Sequence, residues 1–221
     1  MNNTPCTHPE RQTLVAFDFD GTLTTTDTLI AFIRFTHGLF RLIWGILRYA
    51  PWLLLMKLRL YPNGRMKERM FAHFYRGTSY EQFVRWGHEF AEKSDDVLNT
   101  QMAERLHWHI FEGHMVCVVT ASIEEWVAPL CRRMGIDMVV ATRVEVSPGG
   151  LLTGRFSTPN CYGRQKVVRL LELFPLRQSY HLYAYGDSRG DRDLLNFADE
   201  GYFVKRGHYS KIVCAKTMEQ G

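Results

Sequence analysis

Two aspartates two residues apart, Asp18 and Asp20, stand where a short apolar run, Leu14-Val-Ala-Phe17, gives way to Gly21. On an extended segment both side chains point to one side, and the glycine lets the chain turn sharply without a steric penalty. Such a pair can divide the work of a displacement at phosphorus. One carboxylate attacks as a nucleophile; the other gives a proton to the leaving group and then takes one from water. A carboxylate approaching a phosphate dianion is repelled unless a cation lies between them, and Mg²⁺, with a further carboxylate such as Asp187 to hold it, answers that need. The bland alternative is a polar turn at a strand end. A calcium loop fits worse, because Gly21 follows the second aspartate directly, without a third oxygen ligand before it.

Other positions could complete the chemistry. Thr120 follows the apolar run Met115-Val-Cys-Val-Val119, and its hydroxyl could donate to a phosphoryl oxygen with the backbone N–H groups of Ala121 and Ser122 assisting. Taken alone it is equally an ordinary strand-end threonine. Lys166, near the start of a helical pattern, could neutralise charge building on the phosphate and on Asp18; its alternative is a solvated surface charge. Gly186-Asp-Ser-Arg-Gly-Asp-Arg-Asp193 carries several oxygen ligands into a glycine-bearing turn at a helix start. Helix capping by Ser188 and Asp191 is the simpler use of those residues, and the two roles are compatible. His107-Trp-His109 has no third ligand at useful spacing and is expected to be hydrogen-bonded or solvated.

To converge, these residues need strands that deliver them to one edge. The runs Leu14–Phe17, Met115–Val119, His181–Tyr185 and Tyr202–Val204 have the continuous apolar character of buried strands. Helical patterns lie between them at Glu124–Met134, Gln165–Phe174 and Asp191–Ala198. Strands alternating with helices predict an α/β fold, a Rossmann-like doubly wound parallel sheet, and ligands gather outside the carboxyl ends of such strands. Val144-Glu-Val146, the turn Ser147-Pro-Gly-Gly150 and Leu151–Phe156 predict a β-hairpin. Residues 28–106 hold no convincing strand, so the chain is expected to divide into a core of residues 1–27 and 107–221 and a helical cap of residues 28–106 inserted after the first strand.

A chain of 221 residues with 46% hydrophobic content can bury a full core. The net charge of +4 is only mildly basic, and the basic residues do not interleave with aromatics in a nucleic-acid motif, so no nucleic-acid partner is expected. Five scattered cysteines, Cys6, Cys117, Cys131, Cys161 and Cys214, suit reduced thiols better than a disulfide framework or a zinc site. Residues 1–12 lack the pattern of a signal peptide. The expected location is the cytoplasm.

Residues 32–60 are rich in Leu, Ile, Trp and Phe, but Arg41, Arg48, Lys57 and Arg59 interrupt them, so a spanning helix is not expected. Arg34, Arg41 and Arg48 recur every seven residues beside Leu42, Ile43, Trp44, Ile46 and Leu47, as on an interfacial helix facing anionic lipid. Peripheral contact with the inner face of the membrane is one expectation. The other is an ordinary cap helix with its apolar face packed, its arginines in water and Pro51 at its end.

Taken together, Asp18-Phe-Asp-Gly-Thr-Leu-Thr24, Val119-Thr-Ala-Ser122, Lys166 and Gly186-Asp-Ser-Arg-Gly-Asp191 resemble, in order and spacing, the four motifs of the haloacid dehalogenase superfamily. The hairpin ending in Leu152-Thr-Gly-Arg-Phe156 is similar to the phosphoserine phosphatase branch. The insertion more loosely resembles that of the phosphatidylglycerophosphatase C family, including Phe83-Val-Arg-Trp86. The resemblance implies an aspartyl-phosphate nucleophile at Asp18, a general acid/base at Asp20, a phosphate-binding hydroxyl at Thr120 and a charge stabiliser at Lys166. It implies Mg²⁺ held by the Asp18 carboxylate, the Asp20 carbonyl and Asp187, with Asp191 supporting. The phosphate-binding set would be Gly21, Thr120, Ala121, Ser122 and Lys166. One departure stands out: where the phosphoserine phosphatase pattern has asparagine in its fourth motif, this chain has Gly190.

The expected activity is hydrolysis of a phosphomonoester, either a small phosphorylated metabolite or a phospholipid headgroup phosphate. A phosphotransferase of the same fold and a catalytically silent membrane-binding module are the alternatives.

Overall fold

The computed structural model describes residues 11–58, 60–206 and 208–212. Arg59, Cys6, Cys214 and the expectation concerning the first residues lie outside the described residues.

A six-stranded sheet forms the centre, in the order β3-β2-β1-β6-β7-β8. Its strands are β1 (Gln12–Phe17), β2 (Met115–Ile123), β3 (Met138–Thr142), β6 (Tyr180–Gly186), β7 (Glu200–Lys205) and β8 (His208–Lys211). The first five pair in parallel and β8 runs antiparallel at the edge. Alternation along β1 sends Val15 and Phe17 into one apolar cluster and Leu14 and Ala16 into another on the opposite face. A sheet buried on both sides explains why these strands read as unbroken apolar runs. It is the α/β fold expected from the alternation of strands and helices.

Four helices lie between β1 and β2: α1 (Thr28–Lys57), α2 (Asn63–Tyr75), α3 (Tyr80–Lys93) and α4 (Thr100–Phe111). After β2 come α5 (Glu124–Arg133), α6 (Arg164–Leu173) and α7 (Arg192–Phe197). The boundary drawn at residues 106 and 107 falls inside α4, where Leu106 is buried and His109 accepts or donates a 3.0 Å bond with the Tyr185 hydroxyl of β6. The hairpin forms as a separate two-stranded sheet of β4 (Val144–Val146) and β5 (Leu152–Phe156). It packs on the insertion: a Cβ on Gly154 would lie 2.8 Å from the Ala72 Cβ of α2.

Pro51 does not end the first helix. α1 continues through it to Lys57, and its irregularity comes earlier, at Gly38, whose φ of 79° and ψ of 166° are non-helical. A proline removes one backbone donor, which a long packed helix can absorb, whereas glycine leaves the helical region freely. Two strands, β3 and β8, have no counterpart among the apolar runs expected to be strands. The apolar residues of β3 follow closely on α5 with only residues 134–137 between; β8 is polar and exposed along the sheet edge.

Candidate active site

β1 lies between β2 and β6, so the carboxyl end of β1 is where the strand order reverses and a crevice opens. Asp18 follows β1 immediately. Its N–H donates to the Tyr185 carbonyl of β6 at 2.8 Å, which extends the strand pairing by one residue and fixes the carboxylate at the sheet edge. The chain then makes one wide turn, closed by Thr24 N–H donating to the Phe19 carbonyl at 3.0 Å. Within it Gly21 takes φ 78°, and a Cβ there would fall 2.2 Å from Asp187 Oδ2. Glycine is therefore required twice, by its backbone conformation and by the approach of the β6 loop.

Lys166 lies in the first turn of α6, after Gly163 at φ 61°. Its side chain is 2% exposed, and its ammonium donates to Asp18 Oδ1 and to Asp191 Oδ1. Burial lowers the lysine pKa, but the two carboxylates outweigh it and hold the group charged. Asp18 is itself pushed well above its usual range by burial, against the pull of Lys166 and with Asp191 and Asp20 adding repulsion. Asp187, at the end of β6, rises to about 6 through burial and the charge of Asp191.

Asp191 is fully buried and fully used. Besides Lys166 it accepts the Ser188 N–H at 2.9 Å and the Ser188 hydroxyl at 2.6 Å, while the Ser188 Oγ accepts from Gly190 N–H at 3.1 Å. The capping expected of Ser188 and Asp191 is thus present together with the ion pair. Asp20 accepts from Thr28 N–H at 2.9 Å and Thr28 Oγ1 at 2.6 Å on one oxygen, and from the Ser122 hydroxyl on the other. Thr120 is buried, and its Oγ1 accepts the Ser122 N–H at 3.0 Å.

A cavity of about 630 Å³ opens over this floor. Asp18, Asp20, Gly21, Thr120, Ala121, Lys166 and Asp187 all line it. Ser122 and Asp191 do not: Ser122 is spent on Asp20, and Asp191 on Lys166 and Ser188, so both position other residues. His109 likewise bonds Tyr185 and His114, the latter at 2.8 Å, and burial pushes its pKa down to about 3, so it is a neutral structural histidine beneath the sheet.

The cavity also contains residues that the spacing of motifs does not reveal. Lys67, on α2 of the insertion, reaches down to donate to the Ala121 carbonyl at 2.8 Å. Asp27 caps α1 by accepting from Leu29 N–H at 3.0 Å and Ile30 N–H at 3.3 Å, and it faces the same space. Asp27 could have been found as a helix cap; Lys67 has no sequence signal, being one lysine on an amphipathic helix. The same cavity has an apolar lining from the insertion, made by Ile46, Leu53 and Met56 of α1 with Met66 and Met70 of α2.

Ligand oxygens of Asp18, Asp187 and Asp191 lie within 4.8 Å of one another. Asp18 and Asp191 share the Lys166 ammonium, and Asp187 adds a third carboxylate oxygen at that spacing, so the donor set is hard and oxygen-only, as a divalent cation such as Mg²⁺ requires.

A parallel sheet with a carboxylate–lysine floor at its switch point defines a class of hydrolase, and comparison with known proteins agrees. The family described as haloacid dehalogenase-like hydrolase matches residues 15–196. The chain belongs to that family and is an enzyme of the hydrolase class. It is 35% identical over 198 residues to protein CicA of Caulobacter vibrioides, spanning 88% of this chain and 87% of that one. It is 29% identical to a probable phosphatase of Mycobacterium tuberculosis, across 86% of this chain and 67% of the relative. Its fold is similar to a solved phosphoserine phosphatase carrying a phospho-aspartyl intermediate analogue, with TM-score 0.60, 19% identity and coverage of 86% and 84% of the two chains.

Proposed function

We propose that the protein is a Mg²⁺-dependent phosphomonoester hydrolase that forms an aspartyl-phosphate on Asp18. The observation that carries this is the placement of Lys166 between Asp18 and Asp191: it occupies one oxygen of Asp18 and leaves the other for attack. The phosphatase name of the mycobacterial relative adds support.

The chemistry follows from the residues. The free Asp18 oxygen attacks phosphorus while the bond to the leaving oxygen breaks, and Asp20 gives that oxygen its proton. Asp20 then takes a proton from water as the water oxygen bonds to phosphorus, and the acyl-phosphate P–O bond breaks to restore the Asp18 carboxylate. Thr120 Oγ–H and the Ala121 N–H donate to the phosphoryl oxygens, and Lys166 holds Asp18 in line throughout. Mg²⁺, held by Asp18, Asp187 and the Asp20 carbonyl, with Asp191 supporting, would offset the repulsion between carboxylate and phosphate.

We assign residues 28–106 the role of a cap that selects substrate, with Lys67 as its cation above the phosphate site. Of a small phosphorylated metabolite and a phospholipid headgroup phosphate, the apolar wall of the cavity favours a phosphomonoester that carries an apolar portion. We place the enzyme in the cytoplasm, on the strength of its scattered thiols.

Release of phosphate from p-nitrophenyl phosphate, with and without Mg²⁺, tests the proposal. Asp18→Asn should lower turnover by about 10⁴-fold or more. Undiminished activity in that variant would remove Asp18 as the nucleophile.

A further inference from the structure

α1 carries two apolar faces. Beyond Gly38 its inward side, with Leu42, Gly45, Tyr49 and Trp52, packs on its neighbours, and Gly45 comes so close to α2 that a Cβ would sit 2.4 Å from the Phe74 ring. That approach pins the rotation of the helix. The outward side should then be polar if water is all that it meets. Instead Phe40, Trp44, Leu47, Leu54 and Leu58 are exposed, Phe40 by 90% and Trp44 by 70%. They recur at spacings of three, four and seven residues, and so form one continuous stripe. Exposed Arg41 and Arg48 border it on one side and Lys57 on the other.

We propose that this face of α1 docks the protein on an anionic lipid surface, the helix lying in the plane of the interface. The proposal does not depend on the phosphatase reaction. Three features of the stripe select lipid over other occupants. A single convex helix with basic edges offers acyl contact at its centre and headgroup contact at its margins, the arrangement of an interfacial helix. Both margins of the stripe are basic, so a second copy packed on it about a two-fold axis would set cationic edge against cationic edge, and like charges oppose that pairing. α1 is long and apolar enough to cross a bilayer, but its packed inward face and Arg41 and Arg48 within the helical stretch favour a helix that lies along the surface. The orientation also leaves the catalytic cavity beside the docked helix, because Ile46, Leu53 and Met56 of α1 line it.

The test is co-sedimentation of the full chain with vesicles rich in phosphatidylglycerol and with vesicles of phosphatidylcholine alone. Binding is expected to the anionic vesicles and to fall with added salt. Trp44→Glu with Leu47→Glu should weaken it by about tenfold or more, and Arg41→Glu with Arg48→Glu by about tenfold or more. Both double variants should keep the melting temperature and the p-nitrophenyl phosphate turnover of the parent, since these side chains touch neither the core nor the cavity. Failure of the parent chain to bind anionic vesicles overturns the proposal, as does binding that survives Trp44→Glu with Leu47→Glu. A dimer in sedimentation velocity that this variant dissolves would give the stripe to a second copy instead. Binding without any phosphatase activity would leave the docking surface standing and count against the catalytic proposal alone.

Discussion

At the floor of the cavity the charged groups are buried and partnered, whereas on the outer face of α1 large apolar side chains stand in water. Each region inverts the usual distribution of residue types. On the floor the inversion is satisfied within the chain: Lys166 answers Asp18 and Asp191, Ser188 answers Asp191, and Thr28 and Ser122 answer Asp20. On α1 nothing among the described residues answers it. A buried charge without its partner costs several kcal/mol, so the floor must be complete in the folded protein. An exposed leucine costs the fold nothing it would recover by changing, so α1 can wait for something outside.

The largest effect should come from breaking the floor. Lys166→Met keeps length and volume but leaves Asp18 and Asp191 buried beside each other without a cation. A loss of roughly 3–5 kcal/mol of unfolding free energy is expected, read from urea denaturation, together with nearly complete loss of turnover. If the variant is as stable as the parent, the ion-paired floor is not what holds β1, α6 and the β6 loop together.

A smaller effect should follow from crowding the floor without removing a charge. Gly21→Ala places a methyl on Asp187 and forces a non-glycine residue to φ 78°, which costs about 1–3 kcal/mol in strain. The expected outcome is a fall of about 100-fold in phosphate release and a higher Mg²⁺ requirement, because the methyl displaces the carboxylate of Asp187. Unchanged Mg²⁺ dependence would mean that Asp187 does not need its present position.

These two regions also differ in how far the sequence exposed them. Asp18, Asp20, Thr120, Lys166 and Asp187 were legible because chemistry fixes their spacing to strand ends, and strand ends are marked by apolar runs that stop. The parallel sheet followed from the same runs, apart from β3, whose apolar residues run on closely from the end of α5, and β8, which is polar because it lies at an edge. Lys67 and the apolar wall were not legible, since they reach the cavity through the tertiary packing of α1 and α2, which no local pattern encodes. Asp191 was legible in its capping role with Ser188, whereas Ser122 was legible as a site residue but not in its role, because a motif names neighbours of the reaction without saying which of them face the substrate. Pro51 misled for a related reason: its local preference to end a helix is outweighed by packing on either side of it.

The smallest effect should mark the opposite pole of the comparison. Trp126 and Trp44 are the same residue in contrasting settings. Trp126 is fully buried, stacks on Phe32 at 4.5 Å and donates its indole N–H to Thr28 Oγ1 at 3.0 Å, so it braces the residue that holds Asp20. Trp126→Ala should cost about 3 kcal/mol or more. Trp44→Gln removes as large an apolar group, yet its site is 70% exposed and helix propensity barely changes, so stability should move by less than about 0.5 kcal/mol. Thermal unfolding of the two variants side by side gives the contrast directly. Should Trp44→Gln instead destabilise the chain by more than about 1 kcal/mol, its ring would have to be packed against the fold. The outer stripe of α1 would then be part of the core and no longer free to meet a lipid surface.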